Sequence, residues 1–297
     1  MPSSRIALLQ SSGRPGDIVR NLEFVAGAAR EAVAGGAALL VCPEMFLTGY
    51  AIGADVSRLA EPADGPAAQA VARIADEYGI AILYGYPERA GDGEGARVHN
   101  AARLIGPDGS SLANYRKTHL YGGFEQEWFT PGDTPVVQAD LGGLRVGIMI
   151  CYDVEFPENV RAHALAGTDL LLVPTAQMHP FQFVAESVVP VRAFENQMYV
   201  AYVNRTGPEG GSEGGGEAGG EAGGEAGGEA GGEAGGGSAF EFVGLSCLAG
   251  PDGTTRARAG RGEELVFGDV DPELLRASRA ANPYLRDRRP GLYGSLN

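Results

Sequence analysis

Short apolar runs bounded by turn residues alternate along this chain with stretches of helical periodicity, which restricts the fold to strands interleaved with helices. Arg5 to Gln10 reads as a first strand. Asp17 to Ala34 follows as a helix with apolar residues at helical spacing and Asp17 placed to cap it. Ala37 to Cys42 (AALLVC) is apolar at consecutive positions, as in a strand covered on both faces. A helix is expected from Gly65 to Tyr78 and a strand from Ile80 to Tyr86. Val98 to Ile105 and Ser111 to Arg116 flank Gly106-Pro107-Asp108-Gly109, a turn sequence that predicts an antiparallel hairpin. The same tetrapeptide recurs at Gly250-Pro251-Asp252-Gly253, between a strand ending near Leu248 and Thr254 to Ala259. Between the hairpins lie expected strands at Leu144 to Ile150, Asp169 to Val173 and Met198 to Asn204. Expected helices run from Pro157 to Ala166 and from Val184 to Gln197. The whole reads as a mixed sheet system with helices outside, and 297 residues suffice for one large domain or two small ones.

Charge and composition narrow the function. The 297 residues carry a formal charge of -15, which disfavours nucleic acid or an anionic membrane as partner. Seven of the glutamates lie in residues 209–238; removing these seven from -15 leaves -8. That segment holds five tandem EAGG units beginning at Glu217. With no aromatic or branched residue it cannot offset its ordering entropy, so a flexible acidic loop between two strands is expected. No apolar run approaches the roughly 18 residues that cross a bilayer, and no secretory leader is evident, so a cytoplasmic protein is expected. Cys42, Cys151 and Cys247 are too few and too dispersed for a disulfide framework and form no C-x-x-C pair.

Of the 23 basic residues only one, Lys117, is a lysine. In a chain that uses arginine elsewhere, a single ammonium points to a task a guanidinium cannot perform: presenting a compact charge whose pKa shifts with its surroundings. Lys117 follows an expected strand, as do Glu44 (after AALLVC) and Cys151 (after LRVGIMI). In open α/β sheets ligands bind beyond the carboxyl ends of strands. If the three strands are neighbours, a carboxylate, an ammonium and a thiol converge. A thiol attacks as thiolate and needs a base, a carboxylate can shuttle the proton, and an ammonium stabilises an oxyanion. Each residue alone also has a bland reading, as core cysteine, loop cap or surface lysine.

The segments LLVCPEMFLTGY, YRKTHLY and IMICYDVEFPENVR, in that order, resemble the three signature regions of the nitrilase superfamily, the carbon-nitrogen hydrolases. The likeness continues through DLLLVPT, RAFENQMYVAYVN and the tail from Tyr284 to Gly294. This resemblance, which covers nearly the whole chain, implies a single domain over residues 1–297, a four-layer α-β-β-α sandwich that pairs through a helical face into a homodimer or higher homo-oligomer. It carries over Glu44 as general base, Lys117 as oxyanion stabiliser and Cys151 as nucleophile. A second family glutamate matches Glu125 in FEQEWFTPG, with Glu127 as the rival position.

The implied chemistry is hydrolysis of a small-molecule amide to an acid and ammonia through a thioester, with no metal or organic cofactor. Cys151-Tyr152-Asp153-Val154-Glu155-Phe156-Pro157-Glu158 looks like the aliphatic amidase and carbamoyl-amide hydrolase branches, whereas nitrile-cleaving members carry Trp-Glu after the nucleophile. An N-carbamoyl amide hydrolase is the alternative, a nitrilase is third, and an inactive scaffold or binding protein is the non-enzyme reading. Tyr50, Trp128, Tyr152, Gln177, Met178 and Phe181 are the candidate substrate-lining residues. His99, His119, His163 and His179 lack ligand spacing and read as structural, with His119 and His179 near the expected pocket.

Overall fold

The structure, a computed structural model, describes residues 3–210 and 240–294. From residue 211 onward, the stretch expected as an acidic loop lies outside the described residues.

Two six-stranded sheets form the centre of the molecule. The first runs β14 (Glu264–Val270), β1 (Ser4–Gln10), β2 (Leu39–Val41), β3 (Ala81–Ala90), β4 (Arg97–Ile105), β5 (Ser111–Arg116). The second runs β13 (Thr255–Arg258), β12 (Cys247–Ala249), β9 (Tyr199–Asn204), β8 (Leu170–Thr175), β7 (Leu144–Ile148), β6 (Val137–Leu141). Both have the same pattern of directions. One outer strand is antiparallel, three central strands are parallel, and two antiparallel strands complete the sheet. Each pattern ends on a Gly-Pro-Asp-Gly hairpin. In the first, Ser110 N–H donates to Asp108 Oδ1 at 3.0 Å; in the second, Thr254 N–H donates to Asp252 Oδ1 at 3.2 Å.

The sheets stack face to face, with Ile6, Leu8, Val41, Leu83 and Tyr115 of the first packed into one buried cluster with Val146, Ile148, Leu172, Tyr202 and Leu248 of the second. Helices α1 (Ile18–Ala34) and α3 (Pro66–Tyr78) cover the outer face of the first sheet through Val25, Ala29, Val71 and Ala75. Asp17 caps α1 by accepting from Arg20 N–H at 3.0 Å. Helices α5 (Pro157–Leu165) and α6 (Val189–Asn196) cover the second. Hence the chain is an α-β-β-α sandwich. Consecutive apolar positions in β2 and β8 follow from that burial on both faces.

Two local expectations need correction. The segment expected as one helix from Val184 begins with a π-helical turn, Val184–Val188, and becomes α-helical from Val189. Pro190, which has no N–H to give a helical bond, sits at that junction. The strands that precede Glu44, Lys117 and Cys151 are also not neighbours in one sheet: β2 and β5 belong to the first sheet with β3 and β4 between them, and β7 belongs to the second. Strands β6 and β14 and helix α7 (Pro272–Ala281) were not anticipated. Among the described residues no helix is long and apolar enough to cross a membrane.

Candidate active site

Three strand ends meet at the edge of the sandwich, and each delivers one polar group. The chain leaves β2 through Cys42, whose N–H donates to Leu83 O at 2.8 Å, and turns sharply at Met45, which has a φ of 52°. This turn lies against β3 at Gly85, where a Cβ would stand 2.4 Å from Met45 N and 2.9 Å from the Glu44 carbonyl carbon. Only the missing side chain lets the two backbones approach so closely. Arg205, fully buried, donates from a guanidinium nitrogen to Glu44 O at 3.1 Å and pairs with buried Glu209. Glu209 in turn accepts from Tyr50 N–H at 2.5 Å and Ala51 N–H at 2.8 Å.

Lys117 continues the ladder past β5, with its N–H donating to Asn100 O at 2.8 Å and its carbonyl accepting from Gly132 N–H at 2.8 Å. Its ammonium is fully buried and donates to Glu44 Oε1 at 2.8 Å and to Glu125 Oε1 at 2.6 Å. Of the two rival glutamates the fold brings Glu125 to the ammonium and leaves Glu127 exposed. Two residues apart on the short helix α4 (Gly122–Trp128), they point to different faces. Glu125 also accepts from Tyr50 OH at 2.8 Å and Tyr121 N–H at 2.7 Å. Asn100 donates to Glu44 Oε1 at 2.7 Å. Glu44 Oε2 is buried and has no hydrogen-bond partner among the described residues.

Cys151 comes from the opposite sheet. It follows β7 with a φ of 48° and opens a 3₁₀ turn, Cys151–Glu155. For a non-glycine residue this left-handed backbone costs about 1–3 kcal/mol, and such strain clusters at functional sites. Its thiol lies within electrostatic reach of Glu44, Lys117 and Glu125, and donates weakly to Gln177 Oε1 at 3.8 Å.

Burial dominates the electrostatics. It pushes the Glu44 carboxyl up to about 7, the Lys117 charge opposing that shift and the Glu125 charge adding to it. It also draws Lys117 down, but Glu125 and Glu44 outweigh it and hold the ammonium well above its ordinary value. Burial, then the Glu44 charge, keeps the Cys151 thiol far above its ordinary value against the pull of Lys117. So the site holds a permanent cation, a carboxyl that exchanges its proton near neutrality and a thiol that gives one up only to a base.

Of the other expected residues, Tyr50 and Gln177 hydrogen-bond to members of this cluster. Tyr50 is 2% exposed and reaches Glu125 through its hydroxyl, and Trp128 packs against the apolar cluster of Met45, Tyr50, Met178 and Phe242. Tyr152, half-buried, stands edge-on to Tyr121 at 5.3 Å, and Phe181 lies 6.4 Å from Tyr121, between ring centroids. Gln177 Oε1 also accepts from Tyr202 OH at 3.3 Å. His99 Nδ1 lies 2.7 Å from Thr130 O, His163 Nε2 lies 3.2 Å from Pro135 O, and His179 Nδ1 accepts from Gln182 at 2.6 Å. His119 Nδ1 lies 2.7 Å from Asp153. Asn100 and Arg205 escaped sequence reasoning. The first was signalled only by an amide inside an apolar strand, the second by nothing short of the fold.

Two stacked sheets thus bring a carboxylate, an ammonium and a cysteine in left-handed backbone together at the ends of their strands. Residues 5–280 match the carbon-nitrogen hydrolase family, and the chain belongs to that family, within the nitrilase superfamily. It is 45% identical over 294 residues to a hydrolase of Pseudomonas protegens encoded in the 5′ region of pqqF, covering 99% of this chain and 92% of that one. To an (R)-stereoselective amidase of a Pseudomonas species it is 33% identical over 292 residues, covering 98% and 93%. An amidase from Nesterenkonia sp. AN1, solved as a double mutant in complex with acrylamide, superposes with a TM-score of 0.80 at 31% identity, covering 100% of this chain and 99% of that one. Another structure of that amidase carries the acetamide moiety of fluoroacetamide covalently added at the active site cysteine.

Proposed function

We propose that this amidase cleaves a small amide to a carboxylic acid and ammonia through a thioester on Cys151. The observation that carries the reading is the buried Glu44–Lys117–Glu125 cluster beside a cysteine held in left-handed backbone. Amidase relatives, one with acrylamide bound and a covalent adduct at its cysteine, support the amide over the carbamoyl and nitrile alternatives.

In this mechanism the free oxygen of Glu44 takes the Cys151 proton as sulfur attacks the amide carbonyl. Because the thiol holds its proton well above its ordinary pKa, transfer accompanies attack instead of preceding it. The oxyanion is held between the Lys117 ammonium and the Tyr152 backbone N–H. Glu44 then protonates the departing amine, ammonia leaves and a thioester remains. Water attacks the thioester, Glu44 accepts its proton, and collapse of the second tetrahedral intermediate releases the acid and restores the thiol. Glu125 keeps Lys117 charged and fixed. A homodimer through the α5 and α6 face accompanies this reading, supported by the half-exposed Leu165 and Val191; sedimentation reads its mass.

Ammonia release from short aliphatic amides, N-carbamoyl compounds and nitriles tests the proposal. Wild type is expected to act on amides and Cys151→Ala to show background only. Equal background release by both across the panel refutes it, and release confined to the carbamoyl or nitrile arm replaces the substrate class.

A further inference from the structure

Glu44 and Lys117 ride on one sheet and Cys151 on the other, yet the proposed chemistry needs them aligned within a fraction of an ångström. The apolar interface between the sheets is non-directional and does not by itself set that alignment. Directional bonds across it, beside the site, are therefore of interest, and one carboxylate supplies them. Asp153, fully buried in the turn that opens with Cys151, accepts from Ile150 N–H at 3.0 Å and from Tyr115 OH at 2.8 Å through Oδ2. Through Oδ1 it accepts from Thr118 Oγ1 at 2.9 Å and His119 N–H at 3.0 Å, and His119 Nδ1 lies 2.7 Å away. The first of these partners caps the cysteine turn. All the others belong to β5 and the segment directly after Lys117.

We propose that Asp153 is a positioning residue whose carboxylate fastens the strand end carrying Lys117 to the turn carrying Cys151, and so sets the ammonium against the sulfur. This rests on the reading of Cys151 and Lys117 as the working pair. Capping alone would need one bond, from Ile150 N–H. The remaining donors come from residues 34 to 38 positions away in sequence, on β5 of the opposite sheet and the segment that follows it. The knot is tightened by Thr118 Oγ1, which lies 3.1 Å from Tyr115 OH and 3.0 Å from His119 Nδ1. The His119 ring stacks on Phe156 at 4.1 Å, anchoring the lysine segment to the far end of the cysteine turn. Among the described residues Asp153 makes no hydrogen bond to Glu44, Lys117 Nζ or Cys151 Sγ, so its effect passes through backbone placement.

Asp153→Asn and Thr118→Val test this, with Thr118→Ser as the conservative rescue. The readouts are the rate of Cys151 alkylation by iodoacetamide, located by peptide mass mapping to separate it from buried Cys42 and Cys247, and kcat and KM on any amide turned over. Misplacing the lysine and base slows alkylation roughly fivefold or more and lowers kcat about tenfold or more, with KM within about twofold. Thr118→Ser recovers most of both. A carboxylate that merely held the fold together would, on removal, expose a cysteine that is now buried and speed alkylation. Alkylation by Thr118→Val at the wild-type rate or faster, or no recovery in Thr118→Ser, overturns the proposal. Should Asp153→Asn fail to fold, the Thr118 pair decides alone. Should the wild type cleave no amide, the functional reading fails while alkylation still tests the positioning.

Discussion

In the proposed mechanism the proton of Glu44 governs the pH dependence at the residue scale. Burial lifts its carboxyl to about 7, and only the ionised form accepts a proton from the thiol. Activity is therefore expected to fall as pH drops through about 7, as a limb in kcat/KM, which reports the free enzyme. A profile flat from pH 5 to 8 would exclude Glu44 as the base. Lys117→Arg tests the argument from the lone lysine. A planar, longer guanidinium does not fit a fully buried slot between two carboxylates, so kcat is expected to fall by about 10² or more with folding intact by circular dichroism. The lysine was legible because composition isolated it. Asn100, which donates to the same Glu44 oxygen, was not legible, because an asparagine in a strand has many ordinary uses.

Close approach of two backbones decides the geometry at the element scale. Gly85 of β3 makes room for the turn that presents Glu44, and Gly85→Ala would drive a methyl into Met45 N. Loss of about 1–3 kcal/mol of stability is expected, with turnover falling as well, because the displaced backbone carries Glu44, the base of the proposed mechanism. A variant of unchanged melting temperature and turnover would show that the turn has slack. Hairpins were the most readable elements: both Gly-Pro-Asp-Gly turns stand where their sequence put them, since the aspartate and the following hydroxyl residue make the turn from local bonds. Strands β6 and β14 were missed for the opposite reason. Val137–Leu141 and Glu264–Val270 carry half-buried, mixed residues whose pairing is settled by a neighbour strand.

Two six-stranded sheets with one pattern of strand directions form the centre of the molecule, and the cluster of Glu44, Lys117 and Cys151 lies where the ends of their strands meet. The antiparallel pair of β10 (Thr206–Glu209) and β11 (Phe240–Val243) brings Glu209 opposite Phe240, so a connection of a few residues suffices between them. Deleting residues 211–236 is accordingly expected to leave the melting temperature no lower and turnover within about twofold, since shortening a connection reduces closure entropy. A large loss of turnover would tie that segment to the reaction. What the sequence determined by itself was local and chemical: strand and helix periodicity, turn residues, the cap of α1, and a thiol, an ammonium and carboxylates at strand ends. Tertiary structure decided which sheet each strand joined, which of Glu125 and Glu127 turned inward, and how far burial lifted the Glu44 carboxyl. Those outcomes depend on packing between residues tens of positions apart, and neither periodicity nor composition encodes the distance between two sheets.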